Sequence, residues 1–250
     1  MALIKVNGVV LKRTAVGDND VILTVFTSEL GVVKASAKGV KSYKNKFSAG
    51  TALFSYSEFI LLKGKDIYRV RSCELLESFY NLSTNIERIA FATYIADLTA
   101  YTVKETIADA RLLSLLLNTF YLLANSDRNL RLVKSVYELK LLCYSGLAPQ
   151  LECCVSCGDT EHVDYISPQA GGLLCGECQN TARQVYPLSE PCLIALRFIV
   201  YSEDKKAFAF QLSDAALEEL EAHIEHFMRE HIDRDFYSLT YLNMILGKQK

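Results

Sequence analysis

Residues 3–37 read LIKVNGVVLKRTAVGDNDVILTVFTSELGVVKASA. Three runs inside this stretch, 3–13, 20–27 and 31–37, are β-branched and partly alternating, so each reads as a strand. Gly31 supplies the turn between the second and third. The pattern continues in 52–62 (ALFSYSEFILL) and 66–75 (DIYRVRSCEL), with Gly64 at the turn between them. Five short strands packed into the first 80 residues predict a small closed or partly open barrel.

The period changes after Leu82. Ser83 or Thr84 is placed to cap a helix reaching about Val103, with Ile86, Ile89, Ala90, Tyr94 and Ile95 at helical spacing. Further helices are expected over 107–125 and 128–145, the latter with Leu132, Val136, Leu139, Leu142 and Cys143 on one face. Gly146 and Pro149 stop it. Helices resume at 192–202, 213–231 and 238–246; Ser189-Glu190-Pro191 and Ser213-Asp214 have the composition of helix starts. The expected class is α+β. A barrel domain spans 1–80, a helical domain packing as one body spans 81–250, and a cysteine-bearing insert at 150–180 interrupts the helices.

That insert carries Cys154, Cys157, Cys175 and Cys178, a C-x2-C-x17-C-x2-C spacing. A C-x-x-C turn aims two thiolates at one ion, and two such turns place four sulfurs around a tetrahedral Zn2+. With all four positions filled by protein, the site is structural rather than catalytic. Cys153 offers a competing C-x3-C spacing to Cys157, but C-x2-C repeats in the second pair. No apolar stretch with a cleavage site opens the chain. Eight cysteines without a secretory signal favour reduced thiols in the cytoplasm over disulfides. Cys73, Cys143 and Cys192 sit in apolar sequence and read as core residues. Within the insert, 162–167 reads as a short strand.

Half of the residues are hydrophobic, enough for a sizeable core. The apolar run from Leu112 to Ala124 is too short for a bilayer, which needs about 20 residues. The net charge of −2 conceals an asymmetry: residues 1–80 hold 12 basic against 7 acidic residues, and 81–250 hold 15 against 22. No acidic residue occurs between Glu29 and Glu58, whereas Lys34, Lys38, Lys41, Lys44 and Lys46 all fall there. Five ammonium groups on flexible stems suit a phosphate backbone, and the interleaved Tyr43 and Phe47 offer rings on which bases can stack. Tyr56 and Tyr68 offer the same from the barrel face. A basic barrel of this kind is expected to hold nucleic acid.

Several enzyme signatures are missing: G-x4-G-K-[ST], G-x-G-x-x-G and H-E-x-x-H do not occur. His223-Ile224-Glu225 follows the cysteines, the wrong order for a zinc deaminase. His223, His226 and His231 lie among Glu218, Glu219, Glu221 and Glu225 and read as a solvated acidic helix face. No nucleophile–base pair stands out, so no catalytic residue is assigned and the chain reads as a non-enzyme.

Taken in order, these parts are a basic barrel, helices, a four-cysteine module and more helices. With Gly146-Leu147-Ala148-Pro149-Gln150-Leu151-x-x-Cys154-x-x-Cys157-Gly158, Gly171-Gly172-Leu173-Leu174-Cys175-x-x-Cys178, the V-L-K-R at 10–13 and the A-K-G-V-K-S at 37–42, the chain resembles the bacterial RecO family of DNA repair and recombination proteins. The resemblance covers essentially the whole chain. It implies an OB-fold barrel, a helical body and a zinc module, in a cytoplasmic, nucleoid-associated protein. It also implies binding of single- and double-stranded DNA and annealing of complementary strands. The implied partners are RecR, sometimes RecF, and the acidic C-terminal tail of the single-stranded DNA-binding protein, with RecA loaded onto the coated DNA. Arg128, Arg131 and Lys134, near one end of the third helix, are the local candidates for that tail. The competing reading is a zinc-ribbon adaptor in transcription or RNA metabolism using the same barrel.

Overall fold

The structure, a computed structural model, describes residues 3–41, 46–103 and 109–248. Its first five strands are β1 (Leu3–Val16), β2 (Asp20–Thr27), β3 (Gly31–Ala37), β4 (Tyr56–Leu62) and β5 (Tyr68–Glu77). They close into a barrel in the order β1-β2-β3-β5-β4, and β4 returns to pair with β1. All neighbours are antiparallel except β3 and β5, which run parallel through Ala35↔Tyr68 and Ser36↔Arg69. Period-two alternation decides what faces inward: Val33, Ala35 and Ala37 enter the core with Val10, Leu23, Val25, Phe59 and Leu61, while Lys34 points out.

Closure bends β1 between two partners. Gly8 pairs with Thr27 of β2 and with Ser57 of β4, and a bulge between Val10 and Lys12 follows. A Cβ at Gly8 would lie 2.7 Å from Val25 Cγ1 and 2.8 Å from the Phe26 carbonyl oxygen. Gly8→Ala is therefore expected to destabilise the barrel by about 1–3 kcal/mol through overpacking. Urea unfolding checks this, and a midpoint equal to the parent's refutes it.

The fourth strand is shorter than the sequence pattern predicts. Instead of starting at 52, it starts at Tyr56, because 46–55 form turns tied across the barrel end. Ser55 Oγ and Ser57 Oγ both donate to the Gly50 carbonyl at 2.8 Å, and the Phe54 N–H donates to Val10 O at 2.9 Å. Phe54 takes a φ of 64°, unusual for a bulky side chain.

Six helices follow among the described residues: α1 (Ile86–Thr102), α2 (Ala110–Asn125), α3 (Leu130–Tyr144), α4 (Glu190–Tyr201), α5 (Asp214–His231) and α6 (Tyr237–Ile245). The α1 cap is Asn85, whose side chain accepts from the Glu87 and Arg88 N–H groups, rather than Ser83 or Thr84. Those two residues are used up in a 3-10 turn over 80–84. Asp109, Asn129, Ser189 and Ser213 cap α2 to α5 in the same way.

The helices, expected as one body, divide between two compact units. The first comprises 1–126 and 236–250; the second comprises 127–235. In the first, α6 packs on α1, where the Phe236 ring meets Tyr94 and Tyr101 edge-on. In the second, α3 packs against α4 and α5. The amphipathic α3 that the pattern predicts is instead buried nearly all round, with Lys134, Glu138 and Lys140 inside. Cys73 and Cys192 are core residues as expected, while Cys143 is only half-buried.

Candidate metal centre and nucleic-acid surface

Three short strands build the cysteine module: β6 (Tyr165–Ser167), β7 (Gly172–Leu174) and β8 (Tyr186–Pro187), ordered β7-β6-β8. The strand expected at 162–167 is confined to its last three residues, and the sheet extends to Pro187. Gln150 bridges Gly172: Gln150 N donates to Gly171 O at 2.8 Å, and Leu173 N donates to Gln150 O at 3.0 Å. A side chain at Gly172 would collide with the Gln150 carbonyl at 2.4 Å, so glycine there lets the first cysteine pair lie against β7. Each pair is a tight turn, closed by Gly158 N→Cys154 O at 2.9 Å and Cys178 N→Cys175 O at 3.1 Å.

The turns bring the Sγ atoms of Cys154, Cys157, Cys175 and Cys178 within 4.8 Å of one another. Cys153 is outside this group, while Cys154 is in it. Cys157 and Cys175 have Sγ atoms 3.7 Å apart. That is far beyond a disulfide bond, about 2.05 Å. It matches the edge of a tetrahedron with metal–sulfur bonds of about 2.3 Å, roughly 3.8 Å. The thiols are unequal before any ion arrives. Burial opposes ionisation of Cys154, but the N–H groups of Cys157, Cys175 and Ser156 outweigh it and bring the thiol down to about 6. At Cys157 the Asp159 N–H favours the thiolate, yet hydrogen bonds with Cys154 and Cys175 push it up to about 12. Four sulfurs this close need a cation to ionise together, so the quartet can hold a metal ion.

The basic residues on and after β3 lie on the barrel surface. Lys34, Lys38, Lys41 and Lys46 are exposed. Gly39 N donates to Asp20 Oδ1 at 2.8 Å and Lys41 Nζ donates to Gly17 O at 2.7 Å, which ties the start of the loop to the β1–β2 hairpin. Phe47 packs half-buried against the barrel core, with Lys46 Nζ 5.2 Å from its ring centre. Tyr68 also packs against that core. Tyr43 and Lys44 lie outside the described residues.

Arg128, Arg131 and Lys134 do not form one surface. Arg128 lines an open pocket of about 490 Å³ with Leu132, Phe210, Leu212 and Leu217, and donates to Phe208 O at 2.5 Å. Arg131 pairs with the buried Glu221, and Lys134 is buried with Glu138 at 2.8 Å.

On α5 the solvated histidine face is only partly correct. His226 stacks on Tyr186 with ring centres 4.0 Å apart. His223 is 5% exposed and faces inward, beside Glu219 and the fully buried Cys192. Burial holds the His223 imidazole below its ordinary pKa, against the pull of Glu219. Burial and then Glu219 push the Cys192 thiol up to about 12. Cys192 lies too far from His223 in sequence for spacing to join them; only the i, i+4 pair Glu219/His223 carried a signal.

Two family models match the chain, Recombination protein O N terminal over residues 1–79 and Recombination protein O C terminal over 83–240. The chain belongs to the RecO family of DNA repair proteins. It is 35% identical over 246 residues to the DNA repair protein RecO of Acetivibrio thermocellus, covering 98% of each chain. It is 32% identical to that of Alkaliphilus metalliredigens, covering 97% of this chain and 100% of the other. The RecO resemblance read from the barrel strings and the cysteine module thus holds over both parts of the chain. No described helix is long and apolar enough to cross a membrane.

Proposed function

We propose that this chain is a non-enzymatic recombination mediator. It binds single- and double-stranded DNA, anneals complementary strands and, with RecR, helps load RecA onto DNA coated by single-stranded DNA-binding protein. The observation that carries this reading is a closed five-stranded barrel with Lys34 exposed on β3 and Lys38, Lys41 and Lys46 exposed after it, in a stretch without acidic residues. Such a surface neutralises phosphates without reading bases. Two strands neutralised on one protein repel each other less, so annealing requires no nucleotide hydrolysis. Phe47 is committed to the barrel core on one side, so its stacking on bases is confined to its outer edge. The four cysteines hold a structural Zn2+ that shapes the module and takes no part in chemistry.

Arg128 lines a pocket with Leu132, Leu212, Leu217 and Phe210, a cation beside apolar side chains, the chemistry that an acidic tail ending in an aromatic residue needs, although Asp127 on the same lining subtracts from its charge. Arg131 and Lys134 contribute charge to the interior pairs rather than to this rim.

The test is annealing of complementary oligonucleotides at low salt without ATP. No acceleration over the uncatalysed rate ends the mediator reading. Reversing Lys38, Lys41 and Lys44 to glutamate is expected to weaken DNA binding equally for all sequences. If all five lysines meet phosphates, the log–log salt slope on single strands approaches about −3.5, and losing three contacts reduces its size by about 2. Unchanged affinity and slope would remove the loop from the DNA site.

A further inference from the structure

We infer that Cys192, Glu219 and His223 form a second metal site, separate from the four-cysteine centre and suited to Zn2+. The three side chains offer sulfur, oxygen and nitrogen atoms that all lie within 4.8 Å of one another. His223 Nε2 is 3.5 Å from Glu219 Oε1. Two ligands about 2.0–2.1 Å from one tetrahedral ion are separated by roughly 3.4 Å, so this pair already stands at ligand spacing.

The surroundings fit a metal better than they fit an ordinary core. His223 is 5% exposed, and neither ring nitrogen makes a hydrogen bond of good geometry. Buried polar atoms in proteins nearly always have a well-formed partner, and an imidazole held only by the loose 3.5 Å pair with Glu219 and by the Pro187 backbone needs an explanation. The carboxylate beside it is held in place: Glu219 Oε1 accepts from Ser189 N at 2.7 Å and Oε2 accepts from Ser189 Oγ at 2.5 Å. Outer hydrogen bonds of this kind orient ligating carboxylates. Ser189 caps α4, three residues before Cys192, so one helix start positions both the sulfur and the carboxylate's anchor. A sulfur–nitrogen–oxygen ligand set favours zinc over hard cations such as Mg2+ or Ca2+, which prefer oxygen.

Three protein ligands leave a fourth position. His223 and Glu219 line an open pocket of about 630 Å³ together with Asp164, Tyr186 and His226. His226 is committed to its stack on Tyr186, so the fourth position goes to water from this pocket. The ion would tie the start of α4 to the second and third turns of α5, next to the strand that leaves the cysteine module.

Cobalt substitution of the metal-stripped full-length protein tests the site, because Co2+ reports ligand type by absorption. The parent is expected to bind two Co2+ per chain by equilibrium dialysis under anaerobic conditions. His223→Gln and Cys192→Ser should each bind one, with the charge-transfer band of the four-sulfur centre intact; that band doubles as the check on folding. Glu219→Gln should weaken the second ion at least about tenfold, since even outer-shell changes commonly cost 10–100-fold. One Co2+ per parent chain, or two in His223→Gln, overturns the assignment. Should the His223 variant lose the four-sulfur band, the near-isosteric Glu219→Gln decides, and unchanged second-site affinity there overturns it.

Discussion

Chelating the ion proposed for the four cysteines, or replacing Cys175 by alanine, is expected to open residues 150–187 to amide hydrogen exchange and to leave β1 to β5 protected. The expected effect is large because the module has little else to hold it. Its strands are two or three residues long, and its apolar core rests on Leu151, Val163, Ile166, Leu173 and Leu174. Sheets of this size are not stable alone in water. Structural zinc contributes on the order of 10 kcal/mol at neutral pH, far more than these contacts. Without the ion, four neighbouring sulfurs must stay mostly protonated, with Cys157 pushed up to about 12. Arg197, which donates to Leu151 O at 2.7 Å, fastens the edge of the module but not its two turns. Hydrogen exchange with mass spectrometry separates the regions. Unchanged protection at 150–187 after chelation would show that the cysteines are not the clamp. Loss of protection in the barrel at the same time would show that the two folding events are coupled.

Phe120→Ala should cost the first unit about 3–5 kcal/mol. Phe120 is fully buried and receives two aromatic edges: Phe54 at 5.2 Å and 66°, and Phe79 at 5.8 Å and 69°. Each such pair adds about 0.5–1.5 kcal/mol beyond burial. Phe54 sits at φ 64°, a backbone conformation that a bulky residue keeps only when its surroundings insist. Deleting the Phe120 ring removes the contact that rewards that conformation and opens a cavity at the end of the barrel. With no tryptophan in the chain, the change is read by far-UV circular dichroism in a urea titration. A loss under about 1 kcal/mol would mean that the site collapses around the gap. Phe120→Leu, which keeps most of the volume, should lose clearly less.

Much of the fold is legible along the chain. Alternation in 20–27 and 31–37 marks strands whose bounds the structure reproduces, since a two-sided surface imposes its period on the sequence. Ser189 and Ser213 mark helix starts because a helix leaves its first N–H groups to be satisfied locally. The cysteine spacing marks a cluster able to hold a metal ion because four thiols on two tight turns are a local arrangement. Other features escape such reading. Residues 52–55 alternate like a strand but turn, because Phe54 and Ser55 bond to the distant Val10 while Ser55 folds back onto the nearby Gly50. Lys134 reads as surface charge, yet α3 is central to its unit and buries it against Glu138. The histidines of α5 look equivalent in sequence, and only packing against α4 separates His223 from His226.

By itself, then, the sequence determined what short-range physics controls: the strand and helix periods, the caps of α4 and α5, the four-cysteine cluster and the basic run from β3 onward. The RecO family pattern was carried by the same local strings. Tertiary structure decided the closure of β4 onto β1, the division of the helices between two units, and the inward turn of Lys134. It also brought together Cys192, Glu219 and His223. These outcomes depend on which distant surfaces bury one another, and burial between distant segments leaves no fixed spacing in the chain.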